Sequence, residues 1–225
     1  MIHNKLNELF NQTPHSLKNI IQFPIRSNLN DKLDKTEKIR SELGVCMSLE
    51  QNTFKMMTSL VYLDLSLSKI WSLKSGCFNG LVNLKRLNLN FCNINQIEEN
   101  AFSSSLANLE ALILSHNKLK LIEKHYFNNL LNLKQLNLSN NKLESIQDGS
   151  FNCLNNLNWL DLSSNNKLNS IKCNVFEQNV NLRQLILDVI LKNDDFEEHF
   201  ISNNNLKLRI NFISLENDLN NNYLS

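Results

Sequence analysis

The sequence predicts an α/β-type repeat solenoid. Similar coils stack into a curved horseshoe, with a parallel β-sheet on the concave face and a mostly irregular or 3₁₀ convex side. Three observations carry this expectation. First, five segments set apolar residues at the same offsets, starting at Leu60, Leu84, Leu109, Leu133 and Leu157, 24 or 25 residues apart. A fixed period of this size is the signature of a stacked array. Second, each segment opens on an alternation, as in Leu109–Glu110–Ala111–Leu112–Ile113–Leu114, that puts 112 and 114 on one face of a short strand. Third, Phe78, Phe102, Phe127, Phe151 and Phe176 recur on the return path, with Leu81, Leu106, Leu130 and Leu154 shortly after them. Parallel strands stack about 4.8 Å apart, and phenylalanines need more room, so the strand side is the shorter arc.

The elements follow in chain order. Residues 1–35 do not keep the period. Leu6, Leu9 and Phe10 fit one helical face, and Pro14 and Pro24 punctuate the segment, so a leader or a cap is expected there. The array is expected over 36–205, with clear units over 60–181. Stepping back 24 residues from the first clear unit puts Ile39, Cys46, Leu49, Phe54 and Met57 on core places, while Ser41 and Gly44 weaken the strand. Within the clear units, Ile97, Ile122, Ile146 and Ile171 recur between the strand and the phenylalanine, and Asn179 interrupts the leucine column that follows it. In a degenerate closing unit, Leu182, Leu185, Leu187 and Phe200 keep their columns but Ile190 replaces the expected asparagine. Residues 206–212 alternate as Leu-Lys-Leu-Arg-Ile-Asn-Phe and are expected to close the sheet, within a carboxy-terminal segment 206–225.

One polar column has a structural reason. Where the chain leaves the strand, its turning backbone would be buried without partners, and an amide side chain offers both donors and an acceptor. Asn117, Asn141 and Asn165 stand at that place, with Ser68 and Cys92 in the first two clear units. Serine and cysteine bond more weakly, so this ladder is expected to be looser toward the amino terminus.

The full pattern, Leu-x-x-Leu-x-Leu-x-x-Asn-x-Leu with a phenylalanine near the nineteenth place, resembles the leucine-rich repeat. It matches that family's typical 24-residue subclass, most familiar from animal extracellular and receptor proteins. The resemblance implies a non-catalytic, protein-binding solenoid like a receptor or matrix ectodomain, with no cofactor. An intracellular scaffold or adaptor of the same architecture is the alternative.

Composition narrows the function further. Lys and Arg number 23 against 22 Asp and Glu, a net charge of +1, which argues against an electrostatic nucleic-acid binder. No basic run occurs, nor a basic stripe interleaved with aromatics. No run of 18 apolar residues occurs, so no membrane insertion by this chain is expected. The first thirty residues lack a signal-peptide pattern. Since the family resemblance points to an extracellular or cell-surface address, the expectation is either a fragment of a larger receptor or an intracellular protein.

Cysteine and histidine place no chemistry. Cys46, Cys77, Cys92, Cys153 and Cys173 are odd in number and contain no Cys-x-x-Cys. Cys46 and Cys92 fall on core columns, whereas Cys77 and Cys153 flank phenylalanines and are expected at or near the surface. His3, His15, His116, His125 and His199 form no metal-binding frame. His116 follows Ser115, but no carboxylate is placed to orient it, so no enzyme is expected. Asp194, Asp195, Glu197 and Glu198 read as a solvated cap. With four glycines, a phosphate-cradling loop has no material. Asn11 and Asn137 match glycosylation acceptors, the second arising from the repeat itself. The remaining abundance of asparagine reads as compositional bias.

Recognition in a solenoid falls on the variable strand positions, which the concave face presents in rows. The third place of successive units gives Tyr62, Arg86, Ala111, Gln135, Trp159 and Gln184. The eighth gives Leu67, Phe91, His116, Asn140, Ser164 and Val189. Binding energy concentrates in Trp, Tyr and Arg anchors. The expected contact patch therefore comprises Tyr62, Arg86, Leu67, Phe91 and His116 in the amino-terminal half, with Trp159 further along.

Overall fold

A computed structural model describes residues 37–40, 49–168, 171–187 and 207–210. Its strands are β1 (Glu37–Arg40), β2 (Leu60–Asp64), β3 (Ser72–Leu73), β4 (Arg86–Asn88), β5 (Gln96–Ile97) and β6 (Ala111–Ile113). They continue as β7 (Leu121–Ile122), β8 (Gln135–Asn137), β9 (Ser145–Ile146), β10 (Trp159–Asp161), β11 (Gln184–Leu187) and β12 (Lys207–Ile210). One eight-stranded parallel sheet runs β1-β2-β4-β6-β8-β10-β11-β12. The leader at 1–35, Ser41, Gly44, Cys46, Val189, Ile190, Phe200 and the acidic group Asp194, Asp195, Glu197 and Glu198 lie outside the described residues, as do Asn11, His3, His15 and His199.

Register follows the leucines. Leu63 lies opposite Leu87, and the row continues through Leu112, Leu136, Leu160 and Leu185. A slip of one residue would turn this row to water, because strand side chains alternate between faces. The ladder runs on past the strands: the Leu65 N–H donates to the Asn88 carbonyl at 2.8 Å and the Leu67 N–H to the Asn90 carbonyl at 2.8 Å. The turn beyond each strand is therefore held as firmly as the strand itself.

Inside the coil, the repeat leucines are fully buried and join one continuous core. Behind them stand Phe54, Phe78, Phe102, Phe127, Phe151 and Phe176, stacked in a file. Successive ring centroids are 6.0, 5.9, 6.1, 6.0 and 5.7 Å apart. Strands repeat at only about 4.8 Å. The phenylalanine side is thus the longer arc, and the sheet lines the concave side. A single unit exposes both faces of this core, so neighbours are required to cover it.

The return segments contain two short 3₁₀ helices, Ser104–Leu106 and Cys173–Phe176. They also form two small parallel ladders, β3 with β5 and β7 with β9. These ladders turn Leu73, Ile97 and Ile122 inward. At the interrupted leucine column, Asn179 is also buried. Its Nδ2 donates to the Phe151 and Leu154 carbonyls at 2.9 and 3.1 Å.

One expectation is overturned. Cys77 is fully buried, not at the surface. It belongs to a column immediately before the phenylalanines, Thr53, Cys77, Ala101, Tyr126, Ser150 and Val175, that is buried at each of these described positions. A tight turn tucks each one inward: the Cys77 N–H donates to the Lys74 carbonyl at 3.1 Å, and Ser150 repeats this with Gln147 at 3.1 Å. The column's mixed chemistry concealed it. Cys153, by contrast, is part-exposed, and Cys92 is fully buried.

Candidate functional site

Two asparagine columns hold the surface in place. In the first, Asn117 accepts from the Cys92 and Ile94 N–H groups at 3.1 and 2.9 Å through Oδ1. Its Nδ2 donates to the Leu89 and Leu114 carbonyls at 2.8 and 2.9 Å. Asn141 donates likewise to Leu114 and Leu138, and Asn165 to Leu138 and Leu162. Ser68 occupies the same column and is fully buried. Cys92 fills it with a thiol whose Sγ–H donates to the Leu65 carbonyl at 3.1 Å. A thiol has no amide oxygen to offer backward, and the Ile70 N–H uses the Cys92 backbone carbonyl instead, at 2.9 Å.

The second column gives a structural task to some of the asparagines read as compositional bias, while the runs Asn203–Asn204–Asn205 and Asn220–Asn221–Asn222 lie outside the described residues. Asn83, Asn108, Asn132, Asn156 and Asn181 each stand just before the first leucine of a unit. Each Nδ2 donates to a carbonyl of the preceding unit: Thr58, Val82, Ala107, Leu131 and Asn155, at 2.8 to 2.9 Å. The signal was present as an unbroken column outside the consensus places.

On the concave face, strand ends are closed by side chains. Asp64 Oδ1 accepts from the Ser66 N–H at 3.0 Å and its hydroxyl at 2.6 Å. Asn137 and Asp161 do the same for Ser139 and Ser163. The Tyr62 hydroxyl donates to Asp64 Oδ2 at 3.1 Å. Partial burial, then the Asp64 charge, raise the Tyr62 pKa. Tyr62 lies directly opposite Arg86, so these two anchors are adjacent. Trp159 is on β10, three strands beyond Arg86, about 14 Å at the usual spacing.

Just past the strands, Leu67, Phe91, His116, Asn140 and Ser164 all have positive φ, at 62, 55, 54, 54 and 55°. The fold imposes this conformation in each of these five units. Asparagine tolerates it; bulky residues rarely adopt it. Leu67 and Phe91 nonetheless occupy it, 43% and 47% exposed. The His116 ring stacks on Phe91 with centroids 3.9 Å apart and planes 12° from parallel. Ser115 is buried and its hydroxyl donates to Asn90 Oδ1 at 2.9 Å, away from His116 chemistry.

Below this ridge, exposed and buried residues alternate strictly: Leu67, Lys69 and Trp71 face water while Ser68 and Ile70 are buried. His116, Lys118 and Lys120 repeat the pattern. Trp71 is 60% exposed. It lies past the strand, outside the columns of variable strand positions. Register thus assembles on this flank a basic stripe with aromatics that no linear stretch contains.

Among the described residues no group of three His, Cys, Asp or Glu side chains could hold a metal ion, and no helix is long and apolar enough to cross a membrane. Burial pushes the Cys77 and Cys92 thiols up to about 12.

A family model for the leucine-rich repeat matches residues 47–94, 58–119, 82–143, 107–166 and 132–188. No curated protein matches the chain. Among solved structures it is similar to the crystal structure of the TLR13–ssRNA13 complex, at 27% identity and a TM-score of 0.65, covering 77% of this chain and 25% of that one. It is also similar to the glycosylated form of the Drosophila Toll–Spatzle complex, at 19% identity, a TM-score of 0.56, and coverage of 76% and 27%. A second Toll–Spatzle structure gives 20% identity, a TM-score of 0.60, and coverage of 78% and 23%. The two Toll likenesses speak to fold alone, and the chain spans about a quarter of each of these longer chains. With overlapping matches from residue 47 to residue 188, more than half of its length, the chain belongs to the leucine-rich repeat family.

Proposed function

We propose that this array is a non-catalytic, receptor-like module that recognises a protein partner with its concave strand face and the adjoining ridge. The observation that carries the reading is the exposed Phe91–His116 stack beside Leu67. An unfavourable backbone conformation costs about 1–3 kcal/mol, and asparagine, used at position 140, would reduce that cost. Placing exposed apolar side chains there is worthwhile for a surface that another molecule covers. Tyr62 and Arg86 extend the same patch onto the sheet, and Trp159 supplies a separate anchor. The solved TLR13 and Toll structures are complexes with ssRNA13 and with Spatzle, so related arrays serve recognition. Here the near-neutral chain favours protein over polynucleotide.

Affinity capture tests the reading, comparing the natural chain with a Phe91→Ala, His116→Ala variant and a Tyr62→Ala, Arg86→Ala variant. A specific protein retained by the natural chain should be lost from both variants at unchanged Tm. Equal retention by both would remove the patch from consideration.

A further inference from the structure

We propose that the flank below the ridge docks an acidic, extended segment of the partner polypeptide, with an apolar side chain of that segment resting on Leu67 and Phe91. The inference rests on the protein-binding reading above and names the partner's chemistry. It begins with the exposed–buried alternation that follows β2, β6 and β8; after β4 the middle place is held by half-buried Asn93. Residues at equal places in successive units line up as three columns side by side.

The first column is the ridge itself. The second presents Lys69, Lys118 and Lys142, all exposed. The third presents Trp71, 60% exposed, and Lys120. None of these four lysines makes an ion pair among the described residues, whereas Lys74, Lys85, Lys134, Lys167 and Lys172 all do. Among the described residues of these columns the one carboxylate is Glu144, and it is held by Lys167 at 3.1 Å. The backbone under the columns is fixed: the Lys118 N–H donates to the Ile94 carbonyl at 2.7 Å and the Lys142 N–H to the Leu119 carbonyl at 2.9 Å. Four unneutralised cations on a rigid frame, bordered by exposed Leu, Phe and Trp, complement carboxylates interspersed with apolar groups.

A polypeptide suits this surface better than a polynucleotide. The basic columns are narrow, and the segments just beyond them carry Glu98, Glu99 and Glu123, exposed or half-buried. A continuous phosphate backbone would run onto those carboxylates. A peptide can place its charges over the lysines only and its apolar side chain on the ridge.

Trp71 provides the reporter. The chain has two tryptophans, so Trp159→Phe leaves Trp71 as the only one. The probe is a synthetic glutamate-rich peptide with one phenylalanine, titrated into that variant at low and high salt while Trp71 emission is followed. A saturable change is expected, weakened by salt. Reversal of three rim charges, Lys69→Glu, Lys118→Glu and Lys142→Glu, should weaken it about tenfold or more, and the Gln-for-Glu peptide should bind as poorly. Lys→Gln at the same three places gives a milder loss without introducing repulsion. No saturable change, indifference to the lysine substitutions, or tighter binding of a single-stranded RNA of equal charge would each overturn the proposal. If the peptide fails while capture is still abolished by Phe91→Ala, His116→Ala, this inference alone falls. If capture survives that variant and the Tyr62→Ala, Arg86→Ala variant, the broader reading falls with it.

Discussion

The Cys92 thiol donates to the Leu65 carbonyl at 3.1 Å, in the place where the next three units use an asparagine amide. Cys92 therefore supplies the donor of the ladder without its acceptor. Replacing it by alanine leaves the Leu65 carbonyl with the Ser68 N–H alone, at 3.3 Å, and the lost hydrogen bond should cost about 1 kcal/mol. Cys92→Asn restores both functions and should be less harmful than Cys92→Ala. Urea denaturation of the two variants checks the order; equal loss would mean that volume, not hydrogen bonding, governs this place.

Alkali should loosen the array through its buried thiols. Burial raises Cys77 and Cys92 from 9.0 to about 12. Neutral thiols favour the folded state below pH 9, and their contribution is lost as pH rises from 9.0 toward about 12. The urea midpoint should fall between pH 8 and pH 10.5, and less so in a Cys77→Ser, Cys92→Ser variant relative to its own value at pH 8. In the native state at pH 8, part-exposed Cys153 should react with a thiol reagent well before Cys77 or Cys92.

The two asparagine columns should differ in cost. Asn141→Ala removes buried bonds to the Leu114 and Leu138 carbonyls and the Leu119 N–H. The Leu114 and Leu138 carbonyls keep a second amide donor, from Asn117 and Asn165, so the group left stranded is the Leu119 N–H, at a cost of about 1–3 kcal/mol. Asn132→Ala removes one exposed bond to Ala107, where water substitutes, and should cost roughly 0.5–1 kcal/mol. Thermal denaturation of both variants decides; similar losses would contradict the distinction.

Phe127 stands in mid-file, between Phe102 and Phe151. Phe127→Ala should cost about 3–5 kcal/mol. Because each unit contacts only its neighbours, the loss should divide the array: amide exchange should accelerate first on the two sides of that gap. Uniform acceleration across all units would indicate a single cooperative block.

At the ridge, Phe91→Asn separates binding from folding. Asparagine tolerates the positive φ of this place, so stability should hold or rise by up to about 1 kcal/mol. Partner retention should nevertheless disappear. A clear drop in Tm would assign Phe91 a structural task.

Much of the fold was legible before any coordinates. Tyr62, Arg86, Ala111, Gln135, Trp159 and Gln184 do align in one row, because leucines spaced by a constant period admit one register. The asparagine ladder was legible for the same reason: a turn that buries backbone needs an amide. Cys77 was misplaced because its column, Thr, Cys, Ala, Tyr, Ser and Val, has no common chemistry. What these residues share is a turn that tucks them inward, and turn geometry is not written in residue type. Asn83 and its equivalents were passed over because they flank the consensus instead of forming part of it.

The sequence by itself determined the repeat, the inward leucines and phenylalanines, and which residues share a column, since all of these follow from hydrophobic spacing along one chain. Only the tertiary structure decided what the columns do together. Phe91 meets His116, and Lys69 shares a flank with Lys118, because parallel register brings side by side residues that the chain holds apart. Contacts between coils depend on how each turn aims its side chains, and that direction is set by the packed neighbours.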